Sequence, residues 1–545
     1  MEVDEALAKL GTIGLWQSLV YTGWAIACCF AAAIALMGPI FIAAMPEQYH
    51  CRLSENETFI VNANNETDQC HVYRNGTGKI PCSNGIEFQN VDFGSSIITE
   101  WDLVCDRNFL GELTITLKVV GSTLGSFFLP VMADKFGRKR MYYLLLFLYT
   151  VFEAAHVVAY HYWLFVLLRV ISGCLQTGVY ISSFVAACET LQAKQRTFGG
   201  IFIQTWWAIG MLFLCMCAYF IRDWRHLQLT IALVPLVSFS YFFFIPETVP
   251  WLASNGRIDE AEKILVKAAQ MNKVHMPEKP LRSSQSTERL SNNSPVKEAS
   301  TMDIVRNVTL RKILCCMCVL WFANSIVYWG ISFTSTMLSS DRYLNFFFNS
   351  LIEIPAMIFS LLALQRWGRR LPNFIFFILA GLTVLIVIFI PLKTASGVSL
   401  KPLRMFLTMF GKWAITCTFN SVILYTTEVF PTNARNTGFG LCTLTARIGT
   451  MISPFTVSLA KMIPWLPGVI FAVVAFVSAF VCLLLPETNK RPLPDTIEQI
   501  SSWYTEQKYW SFKMPEAEPA AITPVQPSND NTHTVEKIDF RVTQV

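Results

Sequence analysis

Six ionisable residues stand inside long apolar stretches of this 545-residue chain: Lys118, Glu153, Arg169, Glu353, Lys412 and Arg447. A charge in apolar surroundings is costly unless it is paired or hydrated, so each needs a partner or a task. Arg447 is the sharpest case. It lies in Thr445-Ala446-Arg447-Ile448-Gly449, with no acid within a helical turn. A guanidinium so placed can hold a carboxylate through two hydrogen bonds, or else pair with Glu353 or a helix end. Glu353 precedes Ile354-Pro355, where a helix break would free backbone carbonyls beside a carboxylate suited to a cation, a proton or a lysine. Lys412, in Gly411-Lys412-Trp413, could be that lysine. Glu189 and Glu428 sit nearer the ends of their stretches, where caps or gates are expected. Trp321 and Tyr328 are two helical turns apart on one face, and Gln204 and Trp207 share the middle of another stretch. Aromatic faces attract quaternary ammonium by roughly 0.5–2 kcal/mol each, although aromatics at this spacing more often simply pack.

Other chemistries find no support. The seven histidines form no metal-ligand spacing, so no metal site is expected. There is no nucleophile–base set of a membrane enzyme and no phosphate-binding loop, so no cofactor is called for. Any work across a membrane would draw on gradients, with sodium or proton coupling left open.

The elements that must position these residues are membrane helices. The chain is 53% hydrophobic and 15% charged, whereas soluble domains carry about 25% charged residues. A spanning helix needs roughly 20 apolar residues. Twelve such stretches fall at about 15–44, 110–133, 141–161, 163–187, 199–221 and 226–246, then 312–337, 343–364, 372–392, 402–427, 436–462 and 466–486. The first is too long, and its acidic Met1-Glu2-Val3-Asp4-Glu5 start is wrong, for a cleavable signal.

A basic turn occurs twice in equivalent places. Asp134-Lys135-Phe136-Gly137-Arg138-Lys139-Arg140 follows the second stretch, and Gln365-Arg366-Trp367-Gly368-Arg369-Arg370 follows the eighth. Their glycines are 231 residues apart (368 − 137), the length of a six-helix half with its connection. Such a repeat marks a duplication and suits a carrier of two packed bundles better than a channel or receptor. Lys and Arg in the turns after stretches two, four and eight place those turns and both termini in the cytoplasm.

The long loop 46–108 then faces outward. It contains Cys51, Cys70, Cys82 and Cys105, which allow three disulfide pairings, and acceptor sequons at Asn56, Asn65 and Asn75. Sequons at Asn292 and Asn307 fall on the cytoplasmic side and are expected to be silent. The other twelve cysteines lie in apolar segments and read as small buried hydrophobes. Residues 1–14 form the N-terminus, 15–246 the first bundle, 247–311 a linker with a helical start and a Ser-rich remainder, 312–486 the second bundle, and 487–545 a polar tail. The ending Thr543-Gln544-Val545 has the form that adds a strand to a PDZ groove.

Read together, these features resemble the organic ion transporter family of the major facilitator superfamily, over almost the whole chain. The resemblance rests on Ile98-Thr99-Glu100-Trp101-Asp102-Leu103-Val104-Cys105, the Asp134–Arg140 turn, Tyr219 to Arg225, Pro246-Glu247-Thr248, Glu353-Ile354-Pro355-Ala356, Thr427 to Thr432 and Pro486-Glu487-Thr488. Two positions depart from the family pattern: Pro130 replaces a usual glycine, and Val249-Pro250 stands where Pro-Arg is usual.

The resemblance implies an all-α membrane protein with twelve transmembrane helices in two pseudo-symmetric six-helix bundles, a monomer in the plasma membrane. It places Gln204, Trp207, Trp321 and Tyr328 around a central pocket and makes Arg169 a gating arginine of the fourth helix. Asp134 is expected near the start of helix eleven, as a latch with the gating residues Gly137, Arg138, Glu189, Gly368, Arg369 and Glu428, although anchoring at the membrane interface would use the same residues. Gln365 replaces the acid in the second copy, so the latch is expected in one half only. In this family the Arg447 position tends to be acidic in cation carriers and Arg in anion and carnitine carriers, while Met357 stands where many anion carriers have Lys. Arg447, Glu353, Lys412 and an aromatic wall thus suggest a carnitine-like zwitterion or organic cation as cargo, with an organic anion exchanger as the alternative.

Overall fold

The computed structural model describes residues 3–503, apart from 12, 47, 55–56, 62–66, 75–77, 83, 90–93, 278, 282–300, 336–340, 392, 395–397, 432–433, 490, 492–493, 495–499 and 501–502. Each of the twelve apolar stretches is helical, and among the described residues eight helices are long and apolar enough to cross a membrane. The first half holds Leu15–Met37, Asn108–Phe136, Arg138–Ala155, Tyr162–Glu189, Ala193–Phe220 and Trp224–Leu233. The second holds Val308–Ser335, an eighth span split into Arg342–Leu351 and Glu353–Trp367, Arg370–Phe389, Lys401–Val429, an eleventh span split into Arg435–Ile452 and Phe455–Met462, and Leu466–Cys482. Three departures from regular helix fall at proline. The first span ends in a π turn, Gly38–Ile42, containing Pro39; the sixth tightens into a 3₁₀ helix, Val234–Tyr241, at Pro235; the eleventh breaks at Pro454. Pro130 does not interrupt the second span.

Two hydrophobic clusters fill the halves, one centred on the first six spans and one on the last six. Large apolar side chains such as Trp163, Phe220, Phe243, Phe244 and Phe389 face outward, as a lipid-facing surface requires. The tightest crossing joins the second and fourth spans. Gly121 and Gly125, one turn apart, leave room for the backbone of Val170 and Cys174; a Cβ on either glycine would lie 1.9 or 2.4 Å from a carbonyl oxygen. Gly173 gives the same clearance to the Lys118 carbonyl. This contact sets where Lys118 and Arg169 meet.

The loop between the first two spans carries five short strands: β1 (Gln48–Cys51), β2 (Glu57–Val61), β3 (Thr67–Arg74), β4 (Gly78–Pro81) and β5 (Ile86–Gln89). β1 pairs with β5 and β2-β3-β4 form a second sheet, all antiparallel. Of the three disulfide pairings, the structure contains Cys51–Cys82 and Cys70–Cys105. Asn56, Asn65 and Asn75 lie outside the described residues. Asp68 is partly desolvated, yet hydrogen bonds from Lys79, the Cys70 amide and His71 hold its carboxyl down at about 2. Glu100 anchors the loop to the sixth span, accepting from Trp224 Nε1 at 2.8 Å and pairing with Arg225.

At the opposite face lie Val3–Lys9 and the linker helices Val249–Ser254 and Ile258–Asn272, and Trp251 of the linker packs on the first basic turn, donating to the Asp134 carbonyl at 2.7 Å. Asn272 binds the Trp16 amide and the Leu10 carbonyl, tying linker to first span. Asn307 caps the seventh span by accepting from Thr309 and Leu310 amides. The Ser-rich remainder of the linker and the Thr543–Val545 ending lie outside the described residues.

Candidate functional site

Glu353 opens the second segment of the eighth span, and Lys412 reaches it from the middle of the tenth at 3.3 Å. Tyr328 of the seventh span donates its hydroxyl to Glu353 at 2.5 Å, and Lys412 Nζ sits 3.0 Å from the centre of the Tyr328 ring while donating to Ser332 Oγ at 2.6 Å. Lys412 is 1% exposed. One carboxylate, one ammonium and one aromatic face therefore form a closed set. The expected pairing of Glu353 is with Lys412, not with Arg447.

Arg447, on the eleventh span, has no carboxylate partner among the described residues. The ionisable group that faces it is Tyr180 of the fourth span, in the opposite half. Tyr180 lies beside the Gln204 side chain on the fifth span. Three residues further along the same face, Trp207 lies beside Tyr328 and packs edge-on to Trp329 at 6.5 Å. The fifth span thus approaches both ends of the site, the Tyr180 that stands by Arg447 through Gln204 and the Glu353 set through Trp207. Trp321 is committed elsewhere: its Nε1 donates to Thr426 at 2.9 Å, and its ring packs on Phe419 and Phe439 within the second bundle. Tyr180 and Trp329 were not singled out from the sequence, because an aromatic in an apolar helix carries no distinguishing signal.

The two basic turns have the same construction. Gly137 and Gly368 take φ of 103° and 84°, a conformation that favours glycine. Each turn receives a carboxylate from the residue pair after the last span of its half. Glu247 accepts from the Lys139 amide at 3.1 Å, and Glu487 accepts from the Arg369 and Arg370 amides at 2.9 Å. Each turn arginine pairs with the acid ending the fourth span of its half, Arg138 with Glu189 at 3.2 Å and Arg369 with Glu428 at 2.7 Å. Thr248 and Thr488 donate to those same acids. Asp134 adds a pair with Arg138 at 2.5 Å; its side chain is 65% exposed, and it does not reach the eleventh span in this conformation.

Bonds between the halves gather at the disulfide-loop side. Asn108 donates to Ser458 at 3.1 Å, Thr116 to the Met451 carbonyl at 3.0 Å, and Arg342 to the carbonyls of Ile40 and Met45. Toward the basic turns, Ile201 of the fifth span packs with Met357, Leu364 and Leu424.

A second buried ion pair lies within the first bundle. Lys118 donates to Glu153 at 3.0 Å and to the Ile34 carbonyl, while Gln228 of the sixth span donates to the other Glu153 oxygen at 2.5 Å. His156 packs beside it, on the ring of Phe165. Arg169 stands over that same ring at 4.9 Å, its guanidinium against Gly38 of the π turn.

A two-bundle helical fold with paired turns and a site at the seam is that of a secondary transporter, and the comparisons agree. The sugar (and other) transporter family matches residues 56–499. The organic cation transporter protein of Drosophila melanogaster is 31% identical over 91% of this chain and 94% of its own length. Human organic cation/carnitine transporter 2 is 30% identical, covering 92% and 94%. Rabbit organic anion transporter 3 is 30% identical, covering 97% and 99%. In fold, the inward-open xylose transporter XylE from E. coli overlays with a TM-score of 0.58 at 14% identity, over 89% of this chain and 99% of that one. The chain belongs to the sugar (and other) transporter family and, within the major facilitator superfamily, to its organic ion transporters. It is a transporter and not an enzyme.

Proposed function

We propose that this transporter carries organic cations and carnitine-like zwitterions across the plasma membrane by alternating access. The observation that carries the reading is the fifth span. Gln204 and Trp207 lie three residues apart, about 4.5 Å along the helix, and lead to charged groups of opposite use. At one end Arg447 has no protein carboxylate, so a cargo carboxylate can take its fork. At the other, a cargo ammonium competes with Lys412 for Glu353 and the face of Tyr328. Basic turns on the cytoplasmic side, with both termini there and the disulfide loop outside, complete the orientation. Transport draws on a gradient, of cargo itself or of sodium or protons. The protein works as a monomer, and Thr543–Val545 offers a PDZ ligand.

The test is uptake by cells expressing Arg447→Ala. Carboxylated zwitterions lose uptake while simple quaternary amines keep it. Equal loss of both, at normal surface abundance, sinks the assignment. The second reading, an organic anion exchanger, draws on the two cations Lys412 and Arg447 standing against the single acid Glu353. It predicts dicarboxylate uptake that Arg447→Ala removes and no quaternary amine uptake at all.

A further inference from the structure

The two halves repeat both the basic turn and the carboxylate that closes it, so a difference between the copies marks something the shared clasp does not need. Counted from the turn glycine, Lys135, Lys139 and Arg140 of the first copy correspond to Arg366, Arg370 and Leu371 of the second. Arg370 is 2% exposed, and its side chain donates to the Leu483 carbonyl at the end of the last span. Lys139 instead lies over the ring of Phe242, 4.4 Å from its centre, and Arg140 is exposed. Lys135 is exposed as well and stands over Phe136. Arg138 takes Asp134 and Glu189, so among the described residues these three cations have no ion pair. The span ends differ in the same sense. Counted back from Pro246 and Pro486, Tyr241-Phe242-Phe243-Phe244 stands where the second copy has Val481-Cys482-Leu483-Leu484. Phe243 is 86% and Phe244 78% exposed, while Phe242 packs on Tyr143 of the third span. Arg140 heads an outward stripe of that third span, with Leu144, Phe147 and Val151 following at helical spacing.

Exposed aromatic rings beside an apolar stripe suit the level where acyl chains give way to headgroups, and basic side chains at that level meet the headgroups. The clasp accounts for neither the additional cations nor the aromatic run, because the second copy closes without them. We propose that the first basic turn and the aromatic end of the sixth span form a docking surface for an anionic phospholipid of the adjoining leaflet. Lys139 and Arg140 would take the headgroup phosphate, with Lys135 as a further cation. The acyl chains would lie along Phe243, Phe244 and the Leu144–Phe147 stripe. Charge complementarity selects the anionic class, since a zwitterionic lipid brings no net charge to three unpaired cations. A lipid held there would brace the first clasp, because Lys139 also gives its backbone amide to Glu247. The surface lies outside the first bundle, apart from the cargo groups, and does not depend on which cargo is carried.

The test uses the purified full chain in detergent, without cargo. Phosphatidylserine or phosphatidylcholine with identical chains is titrated in, and the first lipid adduct is followed by native mass spectrometry. Each engaged cation is expected to favour phosphatidylserine about fivefold, so Lys139 and Arg140 together give about 25-fold. Lys139→Gln with Arg140→Gln removes that preference, and Arg366→Gln in the second turn keeps it. Equal binding of the two lipids overturns the proposal. So does a preference that survives the double variant or disappears with Arg366→Gln. Glycerophosphoserine, the headgroup without chains, is expected not to displace the lipid; displacement would make this a soluble-anion site and overturn the lipid assignment. Should the double variant fail to fold, a phosphatidylserine with a photoreactive chain decides on the unaltered protein. Crosslinks concentrated in residues 138–151 and 239–247 support the surface, and crosslinks spread evenly over all spans overturn it.

Discussion

Among the described residues two Lys–Glu pairs are buried, one per half, and their surroundings differ. Lys118–Glu153 is enclosed within one bundle, with a glutamine on the second carboxylate oxygen, a histidine alongside and the Gly121/Gly125 contact behind it. Lys412–Glu353 shares its carboxylate with a tyrosine hydroxyl, and that tyrosine lies beside Trp207 of the opposite half. The same two residue types thus do different work. The enclosed pair has every reason to stay as it is, whereas in the proposed transport reading a cargo ammonium would replace contacts of the seam pair.

The largest effect expected is on stability. Glu153→Ala leaves Lys118 and Arg169 without an acid and costs about 3–5 kcal/mol, seen as loss of folded protein in thermal unfolding, while Lys118→Met with Glu153→Leu recovers most of it. If Glu353→Ala lowers the unfolding midpoint as far as Glu153→Ala does, the contrast between the pairs is broken. Next in size, Glu353→Gln keeps the shape and removes the charge. Uptake of quaternary amines is expected to fall at least tenfold, about 1.4 kcal/mol, with surface abundance unchanged. An unaltered uptake would return the seam pair to a purely structural role.

The smallest effect lies outside both pairs and calibrates them. Asp68 in the disulfide loop is held at about 2, below the unfolded value of about 3.9. A depressed carboxyl lends stability that is present above pH 4 and lost as pH falls toward 2. Hydrogen exchange of β3 amides should therefore be steady from pH 7 to 5, once corrected for intrinsic rates, and quicken below pH 4; Asp68→Asn removes that step.

Much of the fold was legible because its signals are local. Apolar runs, the repeated Gly-Arg turns and the cysteine-bearing loop each announce themselves within a few residues. The disulfide pairing was not, since Cys51 to Cys82 and Cys70 to Cys105 is a fact about strand placement. For the site, the sequence offered Glu353–Lys412 as one of several pairings, and only the crossing of the eighth and tenth spans selects it. Tyr180 was invisible for a different reason. Its importance comes from facing Arg447 across the seam, and nothing on its own helix shows that. Glu247 and Glu487 read as loop signatures until their carboxylates are seen closing turns 108 and 118 residues earlier in the chain. Asp134 reads as a latch between bundles, yet in this conformation it is bound to its own turn.

The clasp at each turn also orders events during synthesis. Domains of a growing chain fold in the order they emerge. The first clasp needs Gly137, Glu189 and Glu247, so it can close once the chain has passed Thr248, with the entire second half still unmade. The second needs Glu487 and Thr488, which arrive as the last span is finished. A chain released just before residue 487 would carry a sealed first half and an Arg369 turn with its amides uncapped, which makes the short segment after the final span a checkpoint for the whole protein.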